Sequence, residues 1–140
     1  MNKNLIVSSA DNKYSLLIEE LYQSTLKLKN YDFAILDCGL DQNIIEKFKN
    51  RGIDLKIPNW EVTIPSYKIR NRNYLKAQFS RFYLHEYFPG YENYFWLDSD
   101  TWINCPETFQ HYLKGVNEKG FAICPQIDRA SSKLLNIKWF

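Results

Sequence analysis

Cysteine, histidine, net charge and long apolar runs are all scarce in this chain, and each scarcity excludes a class of protein. Three cysteines, at 38, 105 and 124, are an odd and sparse set in 140 residues. They build no disulfide frame, and reduced thiols in a cytosolic setting are expected. No CxxC pair and no Cys/His cluster offers a zinc site. The net charge is only +2, with no basic run, which argues against nucleic acid as a partner. No apolar stretch approaches the ~18 residues of a membrane-crossing helix. The N-terminal segment turns polar again at Ser8 and lacks the apolar core of a secretory signal. No GxGxxG follows the first apolar run, so the dinucleotide fingerprint is missing. What is abundant is aromatic: ten Tyr, nine Phe and four Trp make up 16% of the chain, enough for a core, a groove or a partner surface.

The patterning alternates between short apolar runs and helical stripes. Residues 5–7 read as a buried strand, followed by a polar exit at 8–12. Asp11 then caps a helix over about 12–29. Residues 33–36 form a second strand, whose exit turn leads to Asp41 as the cap of a second helix that stops near Gly52. Residues 53–57 alternate as a third strand. An irregular stretch with Pro58 and Pro65 leads to a helix over 74–87, striped by Leu75, Phe79, Phe82 and Tyr83. Pro89 and Gly90 end it. Residues 94–97 are a fourth strand, Pro106 opens a helix reaching about 116, and 121–124 make a fifth strand. Such alternation predicts an α/β three-layer sandwich with a mostly parallel central sheet. The all-apolar strands agree, because parallel sheets are covered on both faces. The length suits one domain over residues 1–140.

Ligands of parallel sheets bind outside the carboxyl ends of the strands. Three loops meet that rule, at 8–12, 37–39 and 98–100, and each carries an aspartate. The last stretch is FWLDSDTWIN, residues 95–104. Asp98 and Asp100 lie two apart, so on a regular strand they point to one side. Two carboxylates that close repel each other unless a cation sits beside them. Oxygen ligands of this kind suit Mg²⁺ or Mn²⁺, completed by the oxygens of a diphosphate. The plain structural alternative is a solvated strand end with Asp100 capping a turn. Lys68, Arg70, Arg72 and Lys76 gather before and at the start of the 74–87 helix, either as diphosphate contacts or as a solvated basic loop.

The segments YLKAQFSRF (74–82), EYFP (86–89) and YFWLDSDT (94–101) together resemble the donor-site core of GT-A fold glycosyltransferases, and are most similar to glycosyltransferase family 8 and its bacterial relatives. In that family a helix bearing an Arg precedes the hydrophobic strand that ends in DxD, and Arg81 stands at the matching distance from Asp98. The 35–40 stretch resembles the family's second-strand exit, and 8–12 resembles the loop that cradles base and ribose. The resemblance covers about residues 4–125. It implies a metal-dependent transfer of a sugar from a nucleotide-diphosphate donor, a UDP-sugar favoured, to a saccharide or glycolipid acceptor. It gives Asp98 and Asp100 to the metal, Mn²⁺ or Mg²⁺. Ser8, Ala10, Asp11, Asn12, Lys76, Asp98 and Ser99 then contact the nucleotide-sugar, and Arg81 and Gln78 the donor sugar. The family's later metal-ligating His has no counterpart in His85 or His111. GT-A domains are longer, so the chain resembles an N-terminal part, incomplete at its C-terminus. The expected location is cytoplasmic, including a peripheral place at an inner membrane face.

Two rivals stand beside this reading. A degenerate, non-catalytic nucleotide-binding domain keeps the fold without the reaction. A haloacid-dehalogenase-type phosphatase also uses DxD, but needs Thr or Val two residues after the second Asp. Here Trp102 holds that place, and the motif ends the fourth strand instead of the first.

Overall fold

The computed structural model describes residues 3–69 and 72–124. The chain divides after Asn104 into two compact units. In the first, four parallel strands, β1 (Asn4–Ala10), β2 (Tyr31–Asp37), β3 (Asp54–Lys56) and β4 (Asn93–Trp96), form one sheet in the order β3-β2-β1-β4. The helices between them are α1 (Ser15–Thr25), α2 (Gln42–Lys49), α3 (Ser66–Ile69), α4 (Tyr74–Ser80) and α5 (Leu84–Tyr87). The α/β architecture with a parallel central sheet is as the patterning predicts.

Both faces of the sheet are covered, which is why its strands are apolar on both sides. On one face Leu5, Val7, Ala34 and Leu36 pack with Ala77 of α4, Leu84 of α5 and Phe88. On the other, Ile6, Ile35, Ile18, Leu21 and Phe48 are fully buried, and the Tyr22 ring of α1 meets Phe33 at 5.5 Å and Phe48 at 6.2 Å. Fully burying an aliphatic side chain of this kind is worth about 1.5–3 kcal/mol, so the two faces supply most of the driving force.

Several expected boundaries move for local reasons. β1 runs on through Ser8, Ser9 and Ala10, expected as loop, because the ladder to Leu36 and Asp37 continues past the apolar run. The first helix stops at Thr25, short of residue 29. There Ser24 and Thr25 turn their hydroxyls back onto the carbonyls of Leu21 and Tyr22, both at 2.7 Å, which competes with the helical ladder. Ser24 Oγ also accepts the Ile103 N–H at 3.1 Å, anchoring the segment after β4. The helix expected over 74–87 is two short helices. Tyr83 N–H bonds to Ser80 O three residues back instead of four, which tightens the chain between them. The buried stripe is consequently Ala77, Ser80, Leu84 and Phe88, whereas Phe82 is 69% exposed.

The second unit holds α6 (Thr108–Lys119), closed by Gly120 at φ 75°, a left-handed cap conformation that glycine adopts without strain. Pro106 stands two residues before the helix instead of at its first position. Residues 121–124, expected as a fifth strand, are not one. Phe121 and Ile123 are exposed, and a short apolar run becomes a strand only where a ladder partner meets it.

Candidate functional site

The order β3-β2-β1-β4 has a topological switch point between β1 and β4. The chain steps from β1 outward through β2 to β3, then returns to the other side of β1. Crevices of α/β sheets open at such points, beyond the carboxyl ends. Val7 pairs with Trp96, and Leu97 N–H extends the ladder to Val7 O at 3.1 Å. Asp98 therefore leaves the sheet beside the last residues of β1.

The loops after β1 and β2 are tied to each other. Cys38 N–H donates to Ala10 O at 2.9 Å, and Asn12 N–H to Gly39 O at 3.0 Å. Asp37 Oδ1 accepts the N–H groups of Gly39 and Leu40 at 2.9 and 2.8 Å, an Asx turn. Gly39 sits at φ 127°, where a side chain is strained. Asp11 Oδ1 accepts Tyr14 N–H at 3.2 Å and so caps the short turn that opens the way to α1.

The Asp pair is placed by a single tryptophan and a turn. Trp96 packs against the core, and its indole N–H donates to Asp98 Oδ1 at 2.9 Å. Asp98 O accepts Thr101 N–H at 3.0 Å, which closes a turn over 98–101. Both Asp98 and Asp100 are exposed, with Ser99 half-buried between them. Asp98 Oδ2 and both Asp100 carboxylate oxygens receive no hydrogen bond or ion pair from the described residues.

At the same sheet edge lies a cavity of about 220 Å³, lined by Asp37, Cys38, Gly39, Ile57, Pro58, Asn73 and Lys76. The Lys76 ammonium is 6.0 Å from the centroid of the Trp60 ring. Burial pushes the Cys38 thiol up to about 11, and the nearby charges of Asp37 and Asp11 add to it. Cys38 is thus a protonated wall of the cavity at neutral pH and no nucleophile. A larger cavity, about 690 Å³, lies at the opposite end of the strands, with Tyr22, Tyr31, Asp32, Arg51 and Tyr91 among its walls.

The residues picked from sequence divide accordingly. Asp11, Asn12, Lys76, Asp98, Ser99 and Asp100 lie at the carboxyl edge. Ser8 and Ala10 lie inside β1, and Ser8 is 0% exposed with its hydroxyl lacking a hydrogen-bond partner among the described residues. Gln78 is half-buried on α4. Arg81 is exposed just past α4, its guanidinium 5.5 Å from the Phe82 ring centroid. Neither is joined to Asp98 or Asp100 by a hydrogen bond or ion pair among the described residues. Lys68 sits on α3 and Arg72 is exposed, while Arg70 lies outside the described residues. Pro58 and Asn73 were not legible as wall residues, although Pro58 lies two residues after β3, which ends at this edge.

Among the described residues, no three His, Cys, Asp or Glu side chains converge as a metal cage. The donor set present is two open aspartates. Mg²⁺ and Mn²⁺ sites of that size are completed by substrate phosphates and waters, so these residues fit such an ion as a partial shell.

A parallel α/β sheet covered on both faces, with its open carboxylates at the switch point, is the architecture of the GT-A class of nucleotide-sugar-dependent transferases. Residues 5–128 match the family model of Glycosyl transferase family 8, and the chain belongs to that family. No curated protein matches it. The chain is therefore a glycosyltransferase by family, which implies a nucleotide-sugar donor and an acceptor, and the family usually uses a divalent metal. No helix among the described residues is long and apolar enough to cross a membrane.

Proposed function

We propose that the carboxyl edge between β1 and β4 binds a nucleoside diphosphate sugar, a UDP-sugar favoured, together with Mn²⁺ or Mg²⁺, for transfer to a saccharide acceptor. The observation that carries this is the pair of open carboxylates, Asp98 and Asp100, at the switch point beside the tied 11–12 and 37–39 loops. Asp100 and the free oxygen of Asp98 hold the ion. When bound, the ion offsets the charge that develops on the diphosphate as the glycosyl bond breaks. Lys76, at the rim of the 220 Å³ cavity, meets the diphosphate as a second positive charge. Asp11 and Asn12 face the nucleoside. Ser8 and Ala10 support them from within β1, Ser99 stays in the 98–101 turn, and Gln78 and Arg81 are assigned to the donor sugar. That sugar passes through an oxocarbenium-like state, as in other glycosyl chemistry.

Calorimetric titration of UDP and GDP, with and without Mn²⁺, tests the site. Binding that requires Mn²⁺ and disappears in Asp100→Ala is the expected outcome. Metal-independent binding, or an Asp100→Ala variant of unchanged affinity, removes the Asp pair from the metal role. Arg81→Ala is expected to weaken a UDP-sugar more than UDP, and equal losses count against a sugar contact.

A further inference from the structure

The segment 57–61 gives Ile57 and Pro58 to the wall of the carboxyl-edge cavity, and its 59–61 part is held by one hydroxyl. Tyr87, the last residue of α5, donates its O–H to Glu61 Oε1 and accepts the backbone N–H of Asn59 at 2.8 Å. Ser80 Oγ, fully buried, lies 3.3 Å from the same hydroxyl and 3.4 Å from Asn59 O. Asn59 and Glu61 flank Trp60, so the phenol grips the chain on both sides of the ring that lies under Lys76. Ile57 and the fully buried Pro58, next along the segment, line the cavity with Lys76 and Asn73. Burial raises the Tyr87 hydroxyl above its ordinary value, and the bond to Glu61 adds to this, so the donating proton is retained at neutral pH.

From this clamp we infer that Tyr87 is a positioning residue for the donor diphosphate: it fixes the 57–61 segment, and through Trp60 it sets where the Lys76 ammonium stands. The inference rests on the donor-site reading given above. A hydroxyl with three partners from two segments is a cooperative node, and its removal leaves Asn59 N–H and Glu61 without their shared partner. An ammonium over an aromatic ring is held by the quadrupole of the ring. If the ring is freed, the charge loses its fixed place over the cavity.

The test is a double-mutant cycle with a ligand-independent control. Hydrogen exchange of the Asn59 amide is read first. In Tyr87→Phe it is expected to speed up at least about tenfold, while the β2 amide of Leu36 is unchanged. Equal Asn59 exchange in both proteins overturns the clamp. UDP and uridine are then titrated in the presence of Mn²⁺. Tyr87→Phe is expected to weaken UDP about five- to tenfold and leave uridine unaffected, and in a Lys76→Ala background it is expected to cost nothing further. An equal further loss in that background shows that Tyr87 does not act through Lys76, and overturns the inference. Glu61→Gln, which keeps an acceptor for the phenol, is expected to retain wild-type UDP affinity; a loss matching Tyr87→Phe counts against the clamp as drawn. A wild-type chain that binds no UDP overturns the donor-site reading itself. That failure is recognisable because it precedes every variant, while the Asn59 exchange result is independent of it.

Discussion

The two edges of the sheet differ in how their polar groups are used. At the amino edge the larger cavity, about 690 Å³, has Asp32, Arg51 and Tyr91 among its walls, and all three are engaged with other side chains. The Tyr91 hydroxyl donates to Asp32 Oδ2 at 3.0 Å, and Glu19 receives Arg51 at 2.7 Å and Lys47 at 3.2 Å. At the carboxyl edge the cavity is about a third of that size, yet among the described residues Asp98 and Asp100 keep open oxygens and Lys76 lies over the Trp60 ring without an ion-pair partner. Cavity volume and chemistry are therefore separate in this fold. An amino-edge group that is satisfied internally contributes to stability, and a carboxyl-edge group left open is available to a ligand.

If that contrast holds, variants at the two edges have opposite signatures. The largest effect is expected at Phe48, which is fully buried at the end of α2 with its ring against Tyr22 and 5.9 Å below the Arg51 guanidinium. Phe48→Ala is expected to lower unfolding stability by about 3–5 kcal/mol in urea titration, with nucleotide affinity of the folded chain unchanged. A loss under about 1 kcal/mol contradicts the packing described. Tyr91→Phe comes next, at about 1.5–3 kcal/mol for a hydrogen bond to a carboxylate. Burial and the Asp32 carboxylate push the Tyr91 hydroxyl up to about 12 from 10.0. A raised value means that the protonated form is favoured by folding. Its contribution is fully present below pH 10 and is lost as the pH rises to about 12. The stability gap between wild type and Tyr91→Phe should close over that window, and a gap that is flat with pH removes the Asp32 bond as its source. The smallest effect on stability is expected for Asp100→Asn, within about 0.5 kcal/mol for an exposed side chain without partners among the described residues, although it is expected to lose the Mn²⁺-dependent binding of UDP. If urea titration shows a stability loss several times that amount, Asp100 has a structural partner, and the contrast between the edges fails.

Strand positions were legible because β1, β2 and β4 are apolar on both faces, a signal that needs no tertiary information. The limits were less so. Ser8 and Ser9 look like loop residues, yet they continue β1 because β2 supplies ladder partners that no local pattern reveals. The split between α4 and α5 was hidden for a related reason. Ser80 bonds to Asn59, 21 residues away, and to the Tyr87 hydroxyl two turns on, and neither bond follows from a local pattern, while Leu75, Phe79 and Phe82 imitate a continuous stripe. The strand expected over 121–124 failed because its apolar composition says nothing about a partner. In the candidate site, Asp98 and Asp100 were visible from their spacing at a strand end. The Trp96 bond that orients Asp98 and the Tyr87 clamp on the 57–61 segment were not, since both depend on which tyrosine or tryptophan has a polar atom left to satisfy.

Strand order also has a consequence for synthesis. β1 pairs with β2 early, residue 5 with 32, but with β4 only when residues 93–96 have been made. β1, β2 and β3 can associate as they emerge, and translation then passes through residues 57–92 before β4 exists. At about 5–20 residues per second, the β4-facing edge of β1 waits on the order of seconds, with Leu5, Ile6 and Val7 paired only to β2. An open apolar edge of that kind is a template for other chains. The β1–β4 seam that leads to the Asp pair is therefore the last part of the sheet to close, and crowding of nascent chains threatens that edge before any other.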